Sequence, residues 1–395
     1  MPYKTQPSRR RFSPARPLRI PSVAALLAFV GACGQDDATG DSIFTTGDSI
    51  FTPEVIGTVT VPLSESHQVA LLADERTACV VVSYETRVRC VDTEGAVVGA
   101  FGRVGEGPGE FGSSDNPGNL DLVRGEEGAV GVYDRGLGRF TVFEPSGAHV
   151  TEVRTPYMDP LQSFGTVLTG VVWRGWIPDS LMTRYDVNIA SGEVVRQEAS
   201  PNGPWSAGCG EGIHGIPDRV EGWVFVACEG RLIFVDNTGD ATVLRVPTEL
   251  PDERDLAREE ERMRAQSGRL GEPEMARVRQ ISPDGTYRSL VDEMLEYYRA
   301  RPKLYSLGTE HQLFDAANRY WVATQRDTHE WSYLDVYENA EYAGSVKIRD
   351  RLRGFDLLGS TLVVLVDRQV GPDDSDGIPD RALDWYDIGE LPLGR

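Results

Sequence analysis

From about residue 54 onward, short runs of Val, Ile, Phe, Tyr and Thr alternate with polar residues, and each run stops at a cluster of Gly, Asp, Asn or Ser. That period of two predicts strands joined by tight turns. One turn recurs: Asp92–Gly95, Glu144–Gly147, Ile189–Gly192, Asp236–Gly239, Glu338–Glu341 and Asp387–Glu390. The fourth positions of successive turns lie 52, 45, 47, 102 and 49 residues apart. The long gap contains a charged segment, residues 249–303, whose removal brings that spacing to 47. Six units remain, each long enough for four strands, and the last two strands of a unit read most clearly: RLIFVD with TVLRV, FTVFE with HVTEV, YLDVYE with AGSVKI.

Four antiparallel strands at this period predict an all-β fold, a six-bladed β-propeller. Closure gives an independent check. Only five residues follow Glu390, too few for an outer strand, whereas EVIGTVTVPL (Glu54–Leu63) reads as a strand with no partner before the first unit. Pairing that N-terminal strand with the last unit would close the ring and remove two open edges. A β-sandwich pair, an irregular all-β protein, or a ring of five or seven blades is the alternative. The 249–303 segment reads as a helical insertion between blades four and five. It carries i,i+4 charge pairs after Asp252 and an apolar stripe at Leu290, Met294 and Tyr297/Tyr298, expected to pack on the propeller.

The N-terminus reads as an address. Six basic residues (Lys4, Arg9, Arg10, Arg11, Arg16 and Arg19) and no acid precede Cys33. Pro21–Ala32 is apolar but only 12 residues long, well under the roughly 20 that span a bilayer. This is the layout of a secretory signal. It ends in Val30-Gly31-Ala32-Cys33, which resembles a bacterial lipobox with Cys33 as the lipidated residue. Gly34 after the cysteine favours an outer-membrane destination by the same resemblance, and Ser8–Phe12 resembles a twin-arginine signal. The expected organisation is a signal peptide over 1–32, a polar tether over 33–53, and the propeller over 54–395. Within the tether, TGDSIFT occurs twice, at Thr39–Thr45 and Thr46–Thr52.

Cysteine usage agrees with export. Apart from Cys33 there are four cysteines, Cys79, Cys90, Cys209 and Cys228, an even number. Cys79 and Cys90 lie symmetrically about a turn at Tyr84-Glu85, so a cross-strand disulfide is expected there, leaving Cys209 with Cys228. The net charge of −21 excludes a nucleic-acid partner, whose phosphates need a basic face.

The stretch FGRVGEGPGEF (Phe101–Phe111), then DRGLGRF (Asp134–Phe140) and FEPSG (Phe143–Gly147), resembles the six-bladed propeller lipoproteins of Gram-negative bacteria, relatives of NHL-repeat and TolB-like propellers. LFDAANRYWVATQ (Leu313–Gln325), near the fifth unit, is similar to their D-x-x-x-x-W-V strands. The resemblance implies the fold and a cell-envelope location, the periplasm or outer membrane, and no particular reaction.

Loops entering each inner strand and loops joining the two middle strands should converge on one face. The candidate rim residues are Arg103, Glu106, Glu110, Asp134, Arg135, His214, Arg231, Arg326 and Asp327. Arg103–Glu110 and Asp134/Arg135 equally suit structural ion pairs. The loop Gly102–Gly109 lacks the Gly-Lys-Ser/Thr of a phosphate loop. Asp374, Asp376 and Asp380, around Gly377, are candidate ligands for a calcium ion, the one cofactor the sequence suggests. The expected function is a lipid-anchored, monomeric binding module for an envelope protein, peptide or glycan. The alternative is a lactonase-like hydrolase or lyase using an axial divalent metal.

Overall fold

The computed structural model describes residues 50–61, 68–82, 87–112, 120–125, 130–144, 146–172, 182–201, 214–227, 231–245, 250–267, 279, 286–299, 309–324, 326, 330–368 and 380–389. Six four-stranded antiparallel blades follow one another. Blade one is Val69–Leu71, Thr77–Val82, Arg87–Asp92 and Val97–Phe101, and blade two is Leu120–Gly125, Val130–Asp134, Arg139–Phe143 and His149–Arg154. Blade three is Asp159–Phe164, Val167–Val172, Thr183–Asn188 and Val194–Ala199, and blade four is His214–Pro217, Trp223–Ala227, Arg231–Val235 and Ala241–Arg245. Blade five is Gln312–Phe314, Tyr320–Ala323, Trp331–Glu338 and Glu341–Arg349. Blade six takes only three strands from the C-terminal end: Arg351–Leu358, Thr361–Asp367 and Arg381–Asp387.

The fourth strand of blade six is Val55–Val61, paired antiparallel with Arg381–Asp387. The N-terminal strand thus closes the ring as expected. One further pairing lies inside the segment read as tether: Ile50–Phe51, from the second TGDSIFT copy, runs parallel to Ser345–Val346 on the outer edge of blade five.

Closure is visible in the packing. Side chains of adjacent blades interdigitate in successive apolar clusters, and one of these joins Val61, Val363, Leu383 and Trp385 of blade six to Val69, Val80 and Val91 of blade one. Both faces of an inner or middle strand are therefore covered. This is why Thr77–Val82 and Thr361–Asp367 are buried at every position, while the outer strands Val55–Val61 and Val194–Ala199 keep a period-two pattern.

The recurring turn joins the third and fourth strands. Gly95, Gly147, Gly192 and Gly239 all have φ between +74° and +88°, a region an L side chain avoids. The fifth copy is built differently: Asn339 and Ala340 both have positive φ in a two-residue hairpin. Acidic residues shape many turns. Asp92 Oδ1 accepts the N–H groups of Glu94 and Ala96, and Asp236 Oδ1 accepts those of Thr238 and Asp240.

Helices α1 (Glu253–Ser267) and α2 (Tyr287–Arg299) occupy the predicted insertion. Asp252 caps α1, accepting the N–H groups of Arg254 and Asp255, and Thr286 Oγ1 caps α2 through Ser289 N–H. Residues 260–294 form a compact unit distinct from the propeller. In it the Tyr287 hydroxyl donates to the Met263 carbonyl, and Met263 and Val291 are buried. The expected stripe is corrected here: Met294 is 43% exposed, and the buried position is Val291, one residue after Leu290. No helix among the described residues is long and apolar enough to cross a membrane.

Candidate functional site

The disulfide Cys79–Cys90 is present, bridging directly opposed residues on the two middle strands of blade one. Both cysteines are fully buried. Cys33, Cys209, Cys228, Asp327, Asp374 and Asp376 lie outside the described residues. Asp380 is exposed, and its carbonyl accepts the Arg368 N–H. His214 opens the inner strand of blade four, and the half-buried Arg231 opens that blade's third strand.

Most of the other predicted rim residues brace the ring. Arg103 Nε donates to Glu110 Oε1 at 2.6 Å, and Glu110 Oε2 accepts the Gly107 N–H at 2.8 Å. That N–H and the Arg103 charge hold the Glu110 carboxyl below its usual range. The Glu106 carbonyl accepts from Arg139 Nη1 at 2.9 Å. Arg135 reaches from blade two to Asp121 on the same blade (2.5 Å) and to Asp159 on blade three. Burial alone would lower the Arg135 value, but the two carboxylates outweigh it and raise it. Asp121 is pushed up by burial despite Arg135. Asp134 is not the partner of Arg135. It accepts the N–H groups of Gly112 (2.6 Å) and Leu137 (3.1 Å). Within blade five Arg326 donates to Asp335 (2.5 Å) and Ser345 (3.0 Å) and lies over the Tyr333 ring.

A residue missed by the sequence reading organises the glycine-rich loop. Arg139 Nη1 donates to the carbonyls of Glu106 and Gly107 and to Glu152, while Nη2 donates to the Glu110 carbonyl. The GRxGEGPGEF and DRxxxRF motifs therefore occur together because Asp134 and Arg139 of the second hold the loop formed by the first. Arg368 plays the Arg135 role near closure, bridging Asp350 and Asp384 at 2.6 Å each, with Thr58 of the N-terminal strand donating to Asp384.

A cavity with both charged and apolar lining lies at the opposite ends of the inner strands. Its volume is about 180 Å³, and it is bounded where the first strands of blades three, five and six end and by the first turn of blade four. Phe164, Leu313, Phe314, Leu357 and Leu358 give it apolar walls. Two guanidinium groups line it. Arg219 Nη1 donates to the Asp315 carbonyl at 3.0 Å and its guanidinium sits 4.5 Å from the Phe164 ring centre. Arg319 Nε donates to Asp315 Oδ2 at 2.8 Å.

Local sequence explains that placement. In Asp315-Ala-Ala-Asn-Arg319, Asp315 Oδ1 accepts the N–H groups of Ala317 and Arg319, and Asn318 takes a positive φ of 62°. The turn projects Arg319 beside its own cap, and Trp321 Nε1 fills the remaining Asp315 acceptor at 2.9 Å. Gln162 Nε2 donates to the Phe314 carbonyl at 2.9 Å, linking blade three to blade five past blade four. The signal in the sequence was the Asp-x-x-Asn-Arg turn within LFDAANRYW. A wider hollow of about 480 Å³ lies between the closing strand (Val59–Val61) and blade one (Arg89, Val91 and Val97), lined mainly by strand residues.

An axial metal of the lactonase kind needs several carboxylate or imidazole ligands facing one point. Among the described residues no group of three or more His, Cys, Asp or Glu is placed to hold a metal, so those described residues do not fit that ion.

No protein-family model matches the chain, and no curated protein matches it. Solved structures with similar folds include a member of the DUF4221 family from Bacteroides vulgatus, at 11% identity and TM-score 0.41, covering 85% of this chain and 97% of that one. Another is the calcium-binding protein regucalcin from Agrobacterium tumefaciens, at 13% identity and TM-score 0.39, covering 88% and 99%. BamB from Moraxella catarrhalis matches at 11% identity and TM-score 0.31, covering 84% and 91%. None of these likenesses says what this chain binds.

Proposed function

We propose that this propeller is a lipid-anchored binding module of a bacterial cell envelope, held at the membrane through Cys33 and taking its ligand at the axial cavity. The address rests on the short apolar segment, the lipobox-like Val30–Cys33 and the resemblance to propeller lipoproteins related to NHL-repeat and TolB-like proteins. A buried Cys79–Cys90 disulfide suits an oxidising compartment. The observation that carries the binding reading is the cavity itself: three rigid inner strands and a blade-four turn bring apolar walls and two arginines to one mouth. The arginines of the other face, by contrast, are largely spent on holding blades and loops.

Crosslinking capture from intact envelopes tests this, comparing the native chain with Ala317→Trp, which fills the cavity from its exposed turn. The native chain is expected to capture a discrete partner or ligand that Ala317→Trp loses, while the two melt alike. Equal capture by both would overturn the axial site. Labelling with radioactive palmitate, lost in Cys33→Ala, tests the anchor.

A further inference from the structure

We infer that the axial cavity is a carboxylate site, taking one carboxylate group carried on a compact apolar body. This rests on the cavity being the ligand site, and adds the ligand's chemistry.

The case begins with the acids. Asp315 and Asp356 line the cavity, yet their oxygens are already engaged. Asp315 accepts four hydrogen bonds, from Ala317 N, Arg319 N, Arg319 Nε and Trp321 Nε1. Asp356 Oδ2 accepts the Leu71 N–H at 2.7 Å and Oδ1 accepts the Leu357 N–H at 2.8 Å. Asp356 is 4% exposed and Asp315 7%, so neither presents an open negative face.

Arg319 is in the opposite condition. Arg319 is fixed by one edge only, Nε to Asp315, with its guanidinium carbon 5.9 Å from the Trp321 ring centre. Its two terminal nitrogens donate to nothing among the described residues. A guanidinium held along one edge presents its remaining N–H groups as a fork, the geometry that carboxylates accept in pairs. Arg219, fixed by Asp315 and Phe164, adds a second positive charge at the same mouth. The walls are aromatic and aliphatic, so the ligand's body is apolar. The volume of about 180 Å³ lies below the usual range for drug-sized ligands and sets the body small. Such a carboxylate belongs either to a free small acid or to the C-terminus of a peptide ending in an apolar residue.

The test uses the full chain in detergent and isothermal titration calorimetry with sodium benzoate, against benzamide as the uncharged isostere. Benzoate is expected to bind, with benzamide at least about tenfold weaker, as a charge-assisted pair requires. Arg319→Gln should weaken benzoate about tenfold or more and leave benzamide unchanged, and Arg103→Gln on the other face should change neither. Should Arg319→Gln unfold, Ala317→Trp replaces it, since it keeps the Arg319–Asp315 pair. A peptide ending in Phe, with its terminus free or amidated, separates the sources: discrimination between the two forms indicates a peptide terminus, and binding of benzoate alone indicates a free acid. Equal binding of benzoate and benzamide, no binding of any acid probe, or benzoate binding untouched by both variants would overturn the carboxylate assignment. Envelope capture sensitive to Ala317→Trp would still stand in that case, which separates failure of the chemistry from failure of the site.

Discussion

Asp134, fully buried at the end of a blade-two strand, accepts the backbone N–H of Gly112 at 2.6 Å across 22 residues of sequence. With its other oxygen on Leu137 N–H, it fixes both the end of the glycine-rich loop and its own turn. Asp134→Ala leaves two N–H groups without their acceptor, a cost of about 2–4 kcal/mol. Urea unfolding should show the loss as a lower midpoint. An unchanged midpoint would mean that the loop is held elsewhere.

Arg139 holds the middle of the same loop through the carbonyls of Glu106, Gly107 and Glu110. Arg139→Gln is expected to speed tryptic cleavage after Arg103 several-fold, since protection there reflects local opening. Cleavage at the native rate would assign the loop's order to the Arg103–Glu110 pair instead.

The Cys79–Cys90 bridge spans 11 residues between paired strands. Chain-entropy arguments give a loop of that size about 3 kcal/mol. Reduction, or the pair Cys79→Ala with Cys90→Ala, should lower the thermal midpoint by several degrees while the β-sheet circular dichroism signal at room temperature persists.

Ring closure makes a sharper demand. Deleting residues 54–63 strips the outer edge from Arg381–Asp387 and uncovers Leu383 and Trp385 in the cluster shared with blade one. The truncated chain should lose its cooperative melt and associate through the freed edge. Deleting one TGDSIFT copy, in contrast, yields the same sequence whichever copy is removed and still delivers Ile-Phe to the edge of blade five. Its melting should match the parent, whereas removing both copies should lower it modestly, since only two residues pair there.

Alkali has a defined point of attack. Burial pushes the phenols of Tyr320 and Tyr386 far above the ordinary value of about 10, with the Asp384 charge adding to the second. The folded protein keeps protons that the unfolded chain releases, so this contribution is whole below about pH 10 and is lost as pH rises beyond it. Two slow tyrosinate signals are expected to appear only together with loss of near-ultraviolet circular dichroism. Tyr386→Phe should flatten the alkaline fall in stability. Complete ionisation of the tyrosines in an intact fold would contradict their burial.

Much of the ring was legible in the chain itself. Turns such as Asp92–Gly95 and Asp236–Gly239 depend on one glycine and one carboxylate acting locally, so they repeat visibly at the blade period. The opposed cysteines, the unpaired strand Val55–Val61 and the insertion were likewise readable, because hairpin register and helix caps are set by near neighbours. The partners of the charged residues were not. Arg135 meets Asp159 on the next blade, Arg368 joins Asp350 to Asp384, and Arg219 reaches Asp315 across 96 residues. Six near-equivalent blades offer many acid–arginine matches of equal local merit, and only the angle and closure of the ring choose among them. For the same reason the axial cavity could not be read in advance. It exists only where inner strands distant in sequence end side by side, leaving a small gap and a guanidinium whose two terminal nitrogens have no partner among the described residues.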